Sequence, residues 1–314
     1  MDRNNLIRQF VVCPECFSEI IPDENAFKCS SCGKRYITYN GDILSTLQNV
    51  SADIDFSMEK WTEYYHNREL QEQAEKIYRE STLPLVLKQL YDYTDETGSE
   101  QKVFLEIGCG QAILGEEMAK RGWLFIGVDY SLHILHETKK RLDERGIENY
   151  LLIHGDITAL PIAADSVDYI YGGGVIEHFK NNQSVVNHLH RALKVNGVSF
   201  NSVPFVNIGN IIYRSIWGSI PNLPILRGLA EFLHIRVLGG KHMRFGYELQ
   251  MTRGQLRKTH LTAGFKNENI FIDRFDYTVT LEIIKNPILR KFFTYLIKNN
   301  SQFWQMVKVI AIKG

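Results

Sequence analysis

From residue 102 onward, short apolar runs alternate with stretches whose apolar residues recur at helical spacing. KVFLEIG, WLFIGVDYS and NYLLIHGDI are nearly continuous apolar runs, and GEEMAKRG is the first of the amphipathic segments between them. A strand covered on both faces reads this way, so the pattern predicts a parallel α/β sheet sandwiched between helices. DYIYG, GVSFNSVPF, KNENIFIDRF and MVKVIAIKG supply four further strands. Upstream, MEKWTEYYHNRELQEQAEKIYRE has helical spacing, and Pro84 starts or kinks a second helix, PLVLKQLYDY. Near the N-terminus, FVVC and RYIT read as short strands.

A length of 314 residues accommodates one large domain and a small appendage. The divisions expected are a small unit at 1–50, a helical linker or lid at 51–98, and a main domain at 99–314. The main domain carries a helical insertion at 205–250, after the fifth predicted strand. With 44% hydrophobic and 23% charged residues, the composition is that of a soluble globular protein. The opening residues MDRNNLIRQF lack the apolar core of a secretory leader, and no uncharged apolar run is long enough to span a bilayer, which predicts a cytoplasmic protein.

Charge changes that picture in one respect. The net charge is zero, but residues 205–314 hold 16 Lys/Arg against 6 Asp/Glu. Either these residues coat solvated faces, or the C-terminal side meets an anionic substrate or surface. Within 205–250, Arg214, Arg227 and Arg236 are intermixed with Trp217, Ile220, Leu223 and Phe232, as in an interfacial element, so peripheral membrane contact is one expectation. A packed helical subdomain with snorkelling arginines is the other.

Four of the five cysteines form two C-x-x-C pairs, Cys13 with Cys16 and Cys29 with Cys32. Two such knuckles supply the four soft ligands of a tetrahedral zinc site, and Gly33 lets the second turn close. A redox dithiol is the alternative. About 45 residues bury little core, so bound Zn2+ would contribute folding energy. The CPEC and CSSCG knuckles, Tyr36 and the Asn40-Gly41-Asp42-Ile43 tail resemble the zinc-ribbon family that activates RNA- and protein-modifying methyltransferases. The tail departs from that family's D-G-I-P pattern.

In the main domain the first strand runs into GCGQA, where Gly108 and Gly110 permit close approach of a ligand. A lone G-x-G signals little; Glu106, two residues ahead of it, sharpens the signal. Asp129 ends the second strand about 20 residues later, where an acid can accept both hydroxyls of a ribose. The frame GCGQAI lacks the third glycine of a nicotinamide-binding loop.

Glu106-x-Gly108-Cys109-Gly110-x-Ala112 resembles the glycine motif of class I S-adenosylmethionine-dependent methyltransferases, and LPIAADSVDYIYGGGVIEHF resembles the run that surrounds their fourth strand. The resemblance covers residues 102–204. It implies a Rossmann-like seven-stranded sheet with an antiparallel seventh strand, and S-adenosylmethionine as cofactor. It further implies that Glu106 binds the cofactor's amino group, Gly108 and Gly110 cradle its methionine, and Asp129 binds the ribose. Asp156 and Ile157 would meet the adenine, Tyr130 would stack near it or begin the next helix, and Gly172 and Gly173 would lie beside the sulfonium. Cys109 reads as a packing residue of the loop. Ala112, in place of a third glycine, is a mild departure.

The (N/D)-P-P-(Y/F) tetrad of nucleobase and amide N-methyltransferases is absent, and Glu177-His178 resembles the pair found in small-molecule O-methyltransferases. The expected activity is therefore O-methylation of a small-molecule, sugar-linked or lipid-linked acceptor. His178 is either a base for the acceptor hydroxyl or a helix cap. Tyr64 and Tyr65 read as a lid over substrate or as core, and Arg244 with Tyr247 as a polar substrate cluster. RNA methylation with the ribbon docking the substrate is the alternative activity, although residues 1–50 hold five Lys/Arg against six Asp/Glu and so lack a basic footprint.

Overall fold

The computed structural model describes residues 2–39, 42–47, 61, 64–93, 101–207, 220–221, 227–237, 248–275 and 285–314. Helix α1 (Arg3–Phe10) is capped by the Asp2 carboxylate, which accepts the Asn4 amide. Strands β1 (Ile20–Asp23), β2 (Ala26–Cys29) and β3 (Arg35–Tyr39) form an antiparallel meander, and β4 (Ile43–Ser45) pairs with β3. FVVC, expected as a strand, contributes only isolated bridges at Val11 and Val12. Helix α1 runs to Phe10, and the chain turns at once into the first cysteine knuckle.

Helices α2 (Arg68–Ile77) and α3 (Leu83–Tyr91) are joined by a π-helical turn, Tyr78–Thr82. Pro84 stands in the first turn of α3. The wide π-turn ahead of it takes up the absent N–H and the bulk of the ring.

The main sheet comprises β5 (Val103–Ile107), β6 (Leu124–Asp129), β7 (Tyr150–His154), β8 (Val167–Gly173) and β9 (Leu193–Pro204), then β12 (Ile270–Phe275) and β13 (Met306–Ile312). A two-residue parallel pair, β10 (Ile220–Pro221) and β11 (Leu249–Gln250), lies between β9 and β12 in the chain. Among the described residues, the longer helices of this part are α4 (Ile113–Lys120), α5 (Leu132–Glu144), α6 (Asn182–Ala192), α7 (Arg253–Ala263) and α8 (Pro287–Asn299), and residues 227–237 are also helical. The spatial order is β7-β6-β5-β8-β9-β13-β12. Each of the seven apolar runs contains a strand, and β13 is antiparallel to both neighbours, as the resemblance implies. The sheet is larger than that expectation. β4 pairs parallel with β7, so β1–β4 extend it to eleven strands. An exposed edge on β7 offers unpaired amides and carbonyls, and Ile43–Ser45 satisfy them.

Alternate residues of each strand enter different cores. Val103, Leu105 and Ile107 pack with Leu124, Ile126 and Val128 on one face, against α6 and the N-terminal segment. Phe104, Phe125, Tyr169, Tyr171 and Phe200 gather on the other, against α3, α4 and α5. Helix α4 lies close to that face because Gly115 has no Cβ; one would sit 2.2 Å from Phe125.

Glu116, on α4, is completely buried and is held by Arg79 of the π-turn at 3.1 Å, Lys120 at 2.6 Å, Arg141 of α5 at 3.2 Å, and Arg145. Burial pushes its pKa up, but the hydrogen bonds from Arg145 and Lys120 and the charge of Arg79 outweigh that and hold it at about 2. One carboxylate thus fastens the upstream helices to the sheet. Glu116→Gln is expected to lower unfolding free energy at pH 7 by about 3 kcal/mol in urea denaturation, because half-buried Arg79 and Arg141 and the more exposed Lys120 and Arg145 all lose a fully buried counter-charge. A carboxyl depressed on folding stabilises above its ordinary pKa and loses that contribution as pH falls toward 2. The gap between wild type and variant should therefore narrow below about pH 4.5.

Candidate functional site

The four N-terminal thiols converge: all lie within 4.8 Å of one another, with Cys13 Sγ 3.7 Å from Cys32 Sγ and Cys16 Sγ 3.4 Å from Cys29 Sγ. A tetrahedron with metal–sulfur bonds near 2.3 Å has sulfur–sulfur edges of about 3.8 Å, so the donor set fits a zinc ion. Tyr36, buried, places its hydroxyl 3.0 Å from Cys13 Sγ, and Gly33 adopts φ +74° at the second knuckle.

A second site lies at the carboxyl edge of the sheet, where the strand order reverses between β5 and β8. Glu106, buried near the end of β5, accepts the Gly115 amide at 2.9 Å. Asp129, buried at the end of β6, accepts the Gly110 amide at 2.8 Å and the Ser131 amide at 2.8 Å. Asp156, just past β7, accepts the amide and hydroxyl of Thr158 at 2.7 and 2.8 Å. Gly108, Gly110 and Ala112 all have positive φ, which folds the loop between β5 and α4 back under the cleft.

Burial sets the electrostatics. It raises the pKa of Glu106 to about 8, tempered by the Gly115 amide and by Arg141. Burial also raises Asp129, tempered by the amides of Ser131 and Gly110. Cys109 is pushed far up by burial and remains a thiol. Its sulfur would lie 3.0 Å from a Cβ on Gly127, in agreement with a packing role.

Two adjoining hollows share this edge. Asp129, Tyr130, Asp156, Ile157, Gly173 and His178 line one; Glu106, Cys109, Gly110, Tyr64 and Tyr171 line the other; Trp61, Tyr65, Gly108 and Gly173 border both. Gly172 lines neither. It packs behind the cleft, where a Cβ would meet Asn201 Oδ1 at 2.6 Å and Ile107. His178 lies in a short 3-10 turn, Ile176–His178, with its ring 5.6 Å from that of Trp61, edge to face. Arg244 and Tyr247 lie outside the described residues, as do Asn40 and Gly41 of the ribbon tail.

Trp61, Tyr64 and Tyr65 form one aromatic cluster over the glycine loop. The Tyr65 hydroxyl would stand 2.8 Å from a Cβ on Gly110, and Gln71 donates to the Tyr65 carbonyl while accepting from Gln111 of the loop. Desolvation and the Asp129 charge raise the Tyr65 pKa well above its ordinary value, so it stays a hydrogen-bond donor. Gly174, with φ +75° and its amide on the Ser202 carbonyl, also borders the cleft. The run of three glycines was the available signal for it. Phe179 and Tyr171 had none beyond hydrophobicity.

Residues 104–197 match the family profile described as "Methyltransferase domain". Over that stretch the chain is similar to methyltransferase domains. It is 29% identical over 102 residues to demethylmenaquinone methyltransferase of Geobacillus stearothermophilus, covering 31% of this chain and 43% of that protein. It is 29% identical over 117 residues to ubiquinone biosynthesis O-methyltransferase of Histophilus somni, covering 35% and 48%. The matched region thus spans less than half of these relatives. The fold is similar to that of Haemonchus contortus phosphoethanolamine N-methyltransferase 2, with a TM-score of 0.52 at 16% identity, covering 85% of this chain and 61% of that one.

The N-terminal strands support the main domain at its cleft. A carbonyl only accepts, so His154 Nε2 donates to the Tyr130 carbonyl at 3.0 Å, which leaves Nδ1 to accept from the Ser45 hydroxyl at 3.0 Å. Burial lowers the His154 pKa, in keeping with this neutral tautomer. Thr46 donates its amide to the His154 carbonyl at 2.9 Å, and a Cβ on Gly155 would lie 2.8 Å from Thr46 Oγ1. Tyr130 and Gly155 both line the cleft, so β4 and the residue after it brace one of its walls. Ser45→Ala removes one buried hydrogen bond of about 1 kcal/mol. Hydrogen exchange should then quicken about fivefold at the Thr46 and Gly155 amides, and stay unchanged along β5.

Proposed function

We propose that this chain transfers the methyl group of S-adenosylmethionine to a hydroxyl of a small molecule, with a lipid-linked or sugar-linked acceptor as the preferred class. The observation that carries the reading is the placement of three acids, Glu106, Asp129 and Asp156, at three adjacent strand ends around one cleft floored by a glycine loop. Quinone methyltransferases among the relatives support the acceptor class.

In this reading Glu106 binds the cofactor's amino group, and the backbone at Gly108, Cys109 and Gly110 lies along its methionine. Asp129 binds the ribose hydroxyls; both of its oxygens already hold a backbone amide, and each retains a lone pair. Asp156, Ile157 and Tyr130 surround the adenine. Gly173 leaves room beside the sulfonium, with Gly172 behind it. When bound, the cofactor supplies an already activated methyl group, so the protein's task is alignment and exclusion of water. Tyr64, Tyr65 and Trp61 cover the cleft, and His178 stands where it can take the acceptor's proton. The N-terminal unit, residues 1–50, holds Zn2+ through Cys13, Cys16, Cys29 and Cys32. Residues 51–98 act as a lid-bearing linker ahead of the domain at 99–314. Arg244, Tyr247 and the rest of the 205–250 insertion are assigned to the acceptor side, including its contact with a membrane surface. The enzyme is assigned to the cytoplasm, peripheral to the membrane. No helix among the described residues is long and apolar enough to cross a membrane.

Incubating the protein with a cell extract and cofactor labelled on the methyl group should give RNase-insensitive label that partitions into organic solvent. Label that stays in the aqueous phase and is lost on RNase treatment would overturn the acceptor class in favour of RNA. A second test reads Glu106 directly. With its pKa near 8, the free carboxyl holds a proton at pH 7, and binding the cofactor's ammonium expels it. Calorimetry with S-adenosylhomocysteine in buffers of different ionisation enthalpy should therefore report release of roughly one proton at pH 7. Affinity should rise with pH up to about 8, and Glu106→Gln should abolish both effects.

A further inference from the structure

Two exposed helical segments are rooted beside the carboxyl end of β9. The Pro204 carbonyl accepts the Met251 amide at 2.9 Å, and the Phe205 amide donates to the Gln305 carbonyl at 3.1 Å. The first contact ties down the chain that follows the helical residues 227–237, and the second ties down the chain that follows α8. Met306 pairs with both Pro204 and Phe275, so the segment containing α8 extends beyond that edge of the sheet. Ser202 pairs with Gly173, which borders the cleft. Both segments therefore emerge on the rim that carries the cleft.

Their surfaces are unusual for a rim. Of the fifteen large hydrophobic residues exposed among the described residues, nine lie in these two segments. In α8, Ile288, Phe292 and Tyr295 recur at intervals of four and three and so share one face; they are 77%, 54% and 65% exposed. Phe232 and Val237 are exposed in the other segment. The sequence of α8 carries charge of one sign. Lys285, Arg290, Lys291 and Lys298 lie in or beside it, and the sequence has no acid after Glu282.

We propose that α8, together with residues 227–237, is a docking face for an anionic lipid bilayer. Aromatic and aliphatic side chains on one face with lysines flanking them match an interface of acyl chains below anionic headgroups. A second copy of this chain would set basic residues against basic residues, which disfavours self-association through the same face. The proposal deepens the reading of a lipid-linked acceptor and rests on it for its purpose: docking would hold the cleft mouth against the phase in which such an acceptor is dissolved.

The test is co-sedimentation of the full-length protein with phosphatidylcholine vesicles, with and without phosphatidylglycerol. The same preparations are titrated with S-adenosylhomocysteine. Wild type should sediment only with the phosphatidylglycerol vesicles. Ile288→Ser/Phe292→Ser and Lys291→Glu/Lys298→Glu should each weaken that binding by about tenfold or more while keeping wild-type affinity for S-adenosylhomocysteine. Wild type remaining in the supernatant, or both variants binding as wild type does, would sink the proposal. So would an Ile288→Ser/Phe292→Ser variant that turns a solution dimer into a monomer, because the face would then belong to a second copy. Vesicle binding without S-adenosylhomocysteine binding would defeat the cofactor reading and leave the docking face standing.

Discussion

Backbone amides that leave the carboxyl edge of a parallel sheet need acceptors once both faces are covered, and this chain meets that need with carboxylates. Glu106 takes the Gly115 amide, Asp129 takes those of Gly110 and Ser131, and Asp156 takes that of Thr158. A buried amide left without a partner costs about 1–3 kcal/mol, so these acids shape the loops around the cleft as well as bordering it. The price appears in their protonation. Burial raises both Glu106 and Asp129, so each carboxylate is short of solvation, which a ligand bringing a cation or a hydroxyl donor would supply. The same desolvation therefore serves the fold and prepares the cleft.

What could be read from the sequence was what is local. The strands announce themselves as apolar runs because both faces of each are buried, and the acids and glycines occupy fixed offsets from the strand ends. The sharing of Phe104 and Leu105 between opposite cores follows from the two-residue period alone. What escaped was non-local. β4 is three residues long, too short to carry a pattern, yet it joins β7 more than a hundred residues away. The Lys120 partner of Glu116 is visible at helical spacing, whereas Arg79 and Arg145 reach it only through the fold. FVVC has the composition of a strand, but α1 takes up its first residue and the knuckle follows directly.

The N-terminal unit illustrates why the non-local part matters. Its apolar residues Leu6, Ile7, Phe10 and Tyr36 belong to the same buried cluster as Leu151, Ile153, Leu160 and Ile162, so it has no separate interior among the described residues. Arg3 lies over the Tyr150 ring and pairs with Asp42, and Phe17 packs against His188 under Arg191. A unit of that size cannot bury enough surface to stand alone, and here it draws on the larger core. Cys13 and Cys29 face that core while Cys16 and Cys32 are exposed, so the thiol cluster lies at the boundary between the two.

This arrangement divides the rim of the sheet between two requirements. On one side, hydrogen bonds through Ser45, Thr46 and His154 fix the wall that contains Tyr130 and Gly155. A cofactor that is the same in every turnover benefits from such a fixed wall, because positional error of about an ångström at the reacting centre is costly. On the other side, the chain leaves Pro204 for a long excursion and returns at Met251, with Arg253 over Trp304 and Asn207 bonded to the Ser301 and Trp304 carbonyls. Among the described residues, the roots of that excursion and of the α8 segment are fastened to the sheet, and residues 227–237 and α8 expose apolar side chains. Firm roots with a chemically distinctive exterior suit an element that must meet something outside the protein. The N-terminal side answers to the internal geometry of the cleft, and the α8 side to its surroundings.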